Sequence, residues 1–268
     1  MSSSEETRPA LRLERVRVTF HAGTPNERVA LDNLSLDIAQ EEFVVVIGSN
    51  GAGKSTMLNV ISGALIPDGG RVELEGKDVT RLAVHRRAAY VGRVFQDPML
   101  GTAPALSIEE NLALAGRRGL RRGLRLALDA GRRRHFAEIL APFGLGLDTR
   151  MRVLVGKLSG GQRQVLALLM ASLRKPRLLL LDEHTAALDP GTADLVMQAT
   201  RRIIEEDRLT ALMITHNMQQ AVDFGNRLLV MNAGRVRVDL GAAAKQGLSV
   251  DDLVQRFAGA ADHHLLRA

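Results

Sequence analysis

The segment Phe43 to Thr56, FVVVIGSNGAGKST, constrains the fold of this chain more than any other. Phe43-Val44-Val45-Val46-Ile47 is an unbroken apolar, mostly β-branched run, the pattern of a strand buried on both faces at the centre of a parallel sheet. It passes directly into Gly48-Ser49-Asn50-Gly51-Ala52-Gly53-Lys54-Ser55-Thr56, which matches GxxxxGK[ST], and then into a helix expected from about Lys54 to Gly63. The glycines let backbone N–H groups wrap a phosphate without Cβ clashes, and the helix N-terminus adds its positive end. Lys54 supplies a cation to the terminal phosphates, and the Ser55 hydroxyl can ligate Mg²⁺. Kinases, GTPases and helicases share this unit, so by itself it implies nucleotide binding and no single function.

Two further segments narrow the choice. Leu178-Leu179-Leu180-Leu181 reads as a buried strand that delivers Asp182 at its carboxyl end, where open α/β sheets place ligands and a carboxylate can hold Mg²⁺ through water. Glu183, next in sequence, is placed to orient or deprotonate an attacking water. Leu158-Ser159-Gly160-Gly161-Gln162 opens a helix from about Gly160 to Arg174 and makes a second anion-binding helix start. One nucleotide cannot use both helix starts of a single molecule unless they meet, which implies that a second copy contributes.

Around these segments the pattern is α/β. Leu11–Phe20 and Leu31–Ile38 alternate apolar and polar residues, as strands of a half-exposed antiparallel sheet do, with a polar loop from His21 to Arg28 between them. Arg71–Leu74 resumes strand character after the turn Pro67-Asp68-Gly69-Gly70. A helix-rich middle follows from about Ser107 to Phe143, opened by a capping box of Ser107 and Glu110. Helices over Thr192–Glu206 and Met218–Phe224 flank a strand at Thr210–Ile214, an alternation that implies a parallel sheet wrapped by helices. No element is assigned between Phe224 and Gly247, and 247–268 reads as a short helix with a loose tail. Methionines 170, 197, 213, 218 and 231 sit in apolar runs as core filler.

The charge is local. Of the net +6, the stretch from Gly116 to His135 contributes eight arginines (117, 118, 121, 122, 125, 132, 133, 134) against Asp129, so the rest of the chain is close to neutral. That stretch carries no aromatic residue for base stacking, which argues against nucleic acid as a partner and leaves a solvated basic face or an anionic partner. Cys is 0, which excludes a disulfide scaffold and zinc–thiolate sites and suits a reducing compartment. Met1–Ala10 is polar, carries Glu5 and Glu6 and lacks the pattern of a signal peptide. The longest apolar runs fall far short of the ~18 residues of a membrane span, so any membrane contact is expected to be peripheral.

GSNGAGKST, LSGGQ and LLLLDE, in that order and spacing, resemble the ATP-binding subunits of ABC transporters, over about Leu11 to Phe257. The resemblance implies a P-loop NTPase core with a parallel sheet (11–96 and 158–246), an N-terminal antiparallel β subdomain, an inserted helical subdomain (97–157) and a C-terminal helix and tail (247–268). It implies Mg²⁺-dependent ATP hydrolysis in a head-to-tail pair, either a homodimer or a pair with a paralogous ATPase subunit. Each ATP would lie between one copy's residues 49–56 and the other's Ser159, Gly160, Gly161 and Gln162. Gln96 matches the loop glutamine that contacts Mg²⁺ and the attacking water, His216 the switch histidine, Asp189 the loop crossing the dimer interface, and Phe20, with His21 second, the aromatic that stacks on adenine. Implied partners are a transmembrane permease subunit and an extracytoplasmic substrate-binding protein, with this chain peripheral at the cytoplasmic face of the plasma membrane. The wording DEHTAALDP and THNMQQAVDFGNR is similar to bacterial importers grouped with tryptophan and branched-chain amino-acid systems. His184 stands where the family usually has Pro, Ala186 where Ser is common, and Glu41 at a turn often taken by Gly. An ABC-type ATPase acting on nucleic acid or ribosomes is the competing reading; such relatives carry two ATPase units or a long coiled coil, and this chain has neither.

Overall fold

The computed structural model describes residues 8–120 and 128–257. In chain order the elements are β1 (Leu11–Phe20), β2 (Arg28–Ile38), β3 (Phe43–Gly48), α1 (Lys54–Ser62), β4 (Gly69–Leu74), β5 (Lys77–Asp78), α2 (Val84–Arg87), β6 (Val91–Val94), α3 (Ile108–Ala115), α4 (Ala130–Leu140), α5 (Gly160–Ser172), β7 (Leu178–Asp182), α6 (Pro190–Asp207), β8 (Ala211–Ile214), α7 (Met218–Asp223), β9 (Arg227–Asn232), β10 (Arg235–Leu240), α8 (Ala242–Lys245) and α9 (Val250–Phe257). They form two sheets. The smaller, antiparallel one runs β2-β1-β4-β5, and the larger runs β10-β9-β3-β8-β7-β6. Within the larger sheet β9, β3, β8, β7 and β6 are parallel, and β10 closes the edge antiparallel to β9. This is the expected α/β class: a parallel core, an antiparallel sheet from the N-terminal half, and helices inserted between β6 and α5.

The apolar run in β3 explains why one strand organises the whole molecule. All six of its residues are buried, and because successive side chains point to opposite faces, Phe43, Val45 and Ile47 pack with α5, α6 and the inserted helices, while Val44 and Val46 pack with α1 and the antiparallel sheet. A buried Val or Ile side chain contributes about 1.5–3 kcal/mol, so this run is a major part of both cores. Met197, Met213 and Met231 are core residues as expected, Met231 on the α1 side of the sheet, and Met170 and Met218 pack partly buried against the core that holds Met197 and Met213.

Two expectations are corrected. The loop after β1 is shorter than read, because Arg28 already pairs with Phe20 in the sheet. Strands β9 and β10 arise from 225–246, where the sequence pattern assigns no element. The helix-rich middle holds α3 and α4: Gly116 caps α3, Gly119 takes φ +75°, and Asp129 starts α4 by accepting from the Arg132 N–H. The Ser107–Glu110 capping box forms as expected, with both of its hydrogen bonds present. The segment 247–268, read as a short helix and tail, holds α9, and 258–268 lie outside the described residues. So do Arg121, Arg122 and Arg125. Of the other arginines in the basic stretch, Arg118 donates to the Ala171 carbonyl and Arg133 pairs with the buried Glu109 at 2.8 Å, so part of that charge is used inside the fold. Among the described residues no helix is long and apolar enough to cross a membrane.

Candidate functional site

The carboxyl ends of four neighbouring parallel strands bring the singled-out residues to one edge of the core sheet. Val46, Ile214 and Asp182 stand in register across β3, β8 and β7, and Leu181 faces Val94 on β6. Residues just past that row are the phosphate loop on β3, Thr215 and His216 on β8, Glu183 on β7 and Gln96 on β6. Gln96 is exposed beyond the end of β6, followed by a 3₁₀ turn at Pro98–Gly101 that Asp97 caps through the Met99 N–H.

Glycine is demanded twice in the phosphate loop by close approach. A Cβ on Gly53, which has φ +100°, would come within 2.4 Å of the Ala30 carbonyl oxygen, and one on Gly48 within 2.3 Å of that of Met231. The loop is tied down from outside: Arg28 Nη2 donates to the Gly51 carbonyl at 2.8 Å, and the Gly234 N–H to that of Ala52 at 3.0 Å. Helix α1 then starts without any side-chain cap and with no acidic residue in its first turn, which leaves its N-terminal N–H groups facing an anion site. Asn50 and Ser55 are exposed, Ser49 and Thr56 are half-buried and Ala52 is buried. Lys54 is buried and folds back to donate to the Gly48 and Ser49 carbonyls at 2.6 and 3.1 Å. Burial pushes its ammonium below the usual range, and the nearby Glu183 and Asp182 carboxylates oppose that shift.

Across from Lys54, Glu183 has φ +46°, a left-handed conformation that costs an L-residue on the order of 1–2 kcal/mol. Its Oε1 lies 2.5 Å from His216 Nε2, with the histidine side chain 40% exposed and the glutamate 13%. Gln220 braces both loops: it accepts from the Thr215 hydroxyl at 2.7 Å and donates to that of Thr185 at 3.1 Å. Asn217 caps α7 by accepting from the Gln220 N–H. His184, in the place where Pro is usual, is buried; its Nε2–H donates to Thr200 Oγ1 at 2.9 Å, because the threonine hydroxyl is itself given to the Val196 carbonyl. Burial lowers its pKa to about 4, so the ring is neutral.

The donor set suits a hard divalent cation. Ser55 and Asp182 offer the hydroxyl and carboxylate oxygens that such an ion takes. Phe20 is 38% exposed, so it is not a core residue, and its register partner Arg28 is the one that holds Gly51. Ser159 and Gln162 form a capping box at the start of α5: Ser159 Oγ accepts from the Gln162 N–H at 3.3 Å, and Gln162 Oε1 from the Ser159 N–H at 3.1 Å. Ser159 and Gly160 are exposed, and Gly161 is buried against Thr192 of α6. Asp189 caps α6, and bonds from the Thr192 hydroxyl and N–H hold its carboxyl below the usual range. Ser159 and Asp189 thus stand at the N-caps of α5 and α6, whose starts lie side by side where Leu188 meets Gly160. Sequence reasoning missed Arg28 and Gln220; only the Asn217-x-x-Gln220 cap signature pointed to one of them.

Residues 31–186 match the family model described as ABC transporter. The chain is 43% identical over 235 residues to the tyrosine transport ATP-binding protein of Clostridioides difficile (strain R20291), an alignment covering 88% of this chain and 92% of that one. It is 35% identical over 244 residues to the spermidine/putrescine import ATP-binding protein of Thermobifida fusca (strain YX), covering 91% of this chain but 60% of that longer protein. Among solved structures, a dimeric ATP-binding cassette in a post-hydrolysis state with ADP and Pi superposes with a TM-score of 0.74 at 30% identity, covering 87% of this chain and 98% of that one. With its phosphate loop, its LSGGQ helix start and its acidic strand end on one such fold, this chain belongs to the ATP-binding subunits of ABC transporters, which hydrolyse ATP to drive transport.

Proposed function

We propose that this chain powers an importer for amino acids or chemically similar small solutes. It would work as a head-to-tail pair of ATPase subunits at the cytoplasmic face of the plasma membrane, beneath a permease subunit served by an extracytoplasmic binding protein. The solute class is supported by the 43% identity to a tyrosine transport protein over nearly the whole of both chains. In this reading 11–96 with 158–246 is the nucleotide-binding core, 97–157 the helical subdomain facing the permease, and 247–268 an appendage.

The observation that carries the hydrolytic reading is the Glu183–His216 pair, 2.5 Å apart beside Lys54. Phe20 stacks on adenine, residues 49–56 wrap the phosphates with backbone N–H groups, and Lys54 leaves the Gly48 and Ser49 carbonyls to meet the terminal phosphate oxygens. Ser55, Asp182 and Gln96 are the residues that would hold Mg²⁺, which when bound neutralises charge on the phosphoryl oxygens. Glu183 accepts a proton from the attacking water, and His216, held by the same carboxylate, steadies the transferred phosphoryl group. Ser159, Gly160, Gly161, Gln162 and Asp189 act on the partner copy's nucleotide.

Glu183→Gln tests this. It should bind ATP as the native chain does, lose turnover by at least a hundredfold and accumulate as an ATP-dependent dimer in light scattering. Hydrolysis at the native rate by that variant would remove Glu183 from the role of base.

A further inference from the structure

Arg93 belongs to none of the motifs above. It lies on β6, three residues before Gln96, and its side chain and that of Asp182 are each 14% exposed. Its Nη2 donates to Asp182 Oδ2 at 2.8 Å, and its Nη1 donates to Asn59 Oδ1 at 2.8 Å and Ser62 Oγ at 3.2 Å, both on α1. The guanidinium lies 4.8 Å from the centroid of the Phe95 ring, and its buried Nε has no acceptor. A buried unpaired N–H is costly. Arg87, by contrast, places Nε, Nη1 and Nη2 on four backbone carbonyls. Arg93 therefore sits where it meets Asp182, not where its own donors are best satisfied.

We infer that Arg93 is a built-in counter-cation to Asp182 that sets how tightly the nucleotide site holds a divalent cation. It occupies one oxygen of the carboxylate, offsets its charge and repels a second cation approaching the same group. With both side chains 14% exposed, solvent screens that repulsion less than it would on the open surface. A divalent ion is then retained chiefly when phosphates bring their own negative charge, and released when they leave. The inference rests on the reading of Asp182 as the Mg²⁺-facing carboxylate.

The test is the affinity of the full chain for a fluorescent ATP analogue, measured as a function of free Mg²⁺, in the native chain and in Arg93→Gln, Arg93→Lys and Asp182→Asn. Gln keeps a polar side chain but loses the charge and the reach of the guanidinium, and should move the Mg²⁺ midpoint about tenfold lower. Lys keeps the charge and should stay within about twofold of native, while affinity for the analogue in EDTA is the same in all three Arg93 forms. A midpoint that does not fall in Arg93→Gln, or one that shifts as far in Arg93→Lys, overturns the inference and makes Arg93 a strut between β6 and α1. If Arg93→Gln does not fold, judged by its thermal transition, Arg93→Met takes its place as the uncharged variant with the same expected fall, and a midpoint that stays at the native value overturns the counter-cation role. Asp182→Asn separates the two layers. If it leaves the Mg²⁺ midpoint unchanged, the metal reading of Asp182 fails and the inference falls with it; if it raises the midpoint, the Arg93 variants decide between counter-cation and strut.

Discussion

His184 shows how a single side chain can tune stability without touching the chemistry. Its folded pKa, about 4, lies below the value of about 6.5 for an unfolded imidazole, because the ring is buried. The unfolded chain therefore takes up a proton that the folded chain refuses as pH falls from 6.5 to 4. Stability is fully present above pH 6.5 and is lost by about 1.4 kcal/mol per pH unit below it, about 3 kcal/mol in all. In His184→Gln, which cannot titrate, the urea midpoint should decline less steeply over that window. The same slope in both chains would mean that His184 is not buried neutral. The ring also shows why the departure from Pro is tolerated: a donor to Thr200 on α6 anchors the loop after Glu183 from inside the fold.

At the scale of elements, α1 is held differently at its two ends. Its first turn is open for an anion, whereas its last carbonyls are tied by Arg87, which is fully buried and donates to Val60 at 2.6 Å, Ile61 at 2.9 Å, Leu82 at 3.0 Å and Thr80 at 2.8 Å. Arg87→Met would strand those carbonyls without donors and should cost about 2–4 kcal/mol in denaturant unfolding, with Lys restoring only part because it lacks the planar fork. A loss under about 0.5 kcal/mol would show that water replaces the guanidinium. Arg87 also marks where sequence reading stops. The phosphate loop is legible because GxxxxGK[ST] states its backbone demands locally, and β3 because five apolar residues in a row fit nothing else as well. What Arg87, Arg93 and Gln220 touch depends on tertiary placement. Strand β6 lies beside β7 although the whole helical insertion separates them in sequence, and no periodicity encodes that adjacency. Strand β10 was within reach, since Val236, Val238 and Leu240 alternate with charged residues, but its edge position makes the signal weak.

At the scale of the whole molecule, the two anion-binding helix starts belong to different parts of the chain. On the proposed dimer this makes each copy defective in a separable way. Lys54→Ala removes a copy's own phosphate contact, and Ser159→Arg removes what it offers its partner. Mixed, the two inactive proteins should form heterodimers with one intact composite site and recover hydrolysis above either parent. Inactive heterodimers, confirmed by differential tagging, would count against the sandwich arrangement. The recovered rate also reports whether one site can fire without the other.

Phe20 and the phosphate loop belong to different sheets, joined where Arg28 holds Gly51 and where the Asp32 N–H meets the Gly234 carbonyl. The two sheets also share one buried core, in which Val44 and Val46 meet Leu13, Leu31 and Ile38. A nucleotide seated as proposed, with its base on one sheet and its phosphates on the other, therefore lies along a seam that is already closed from beneath. The base end and the phosphate end are placed by one continuous core, so the spacing between them is set before any nucleotide arrives.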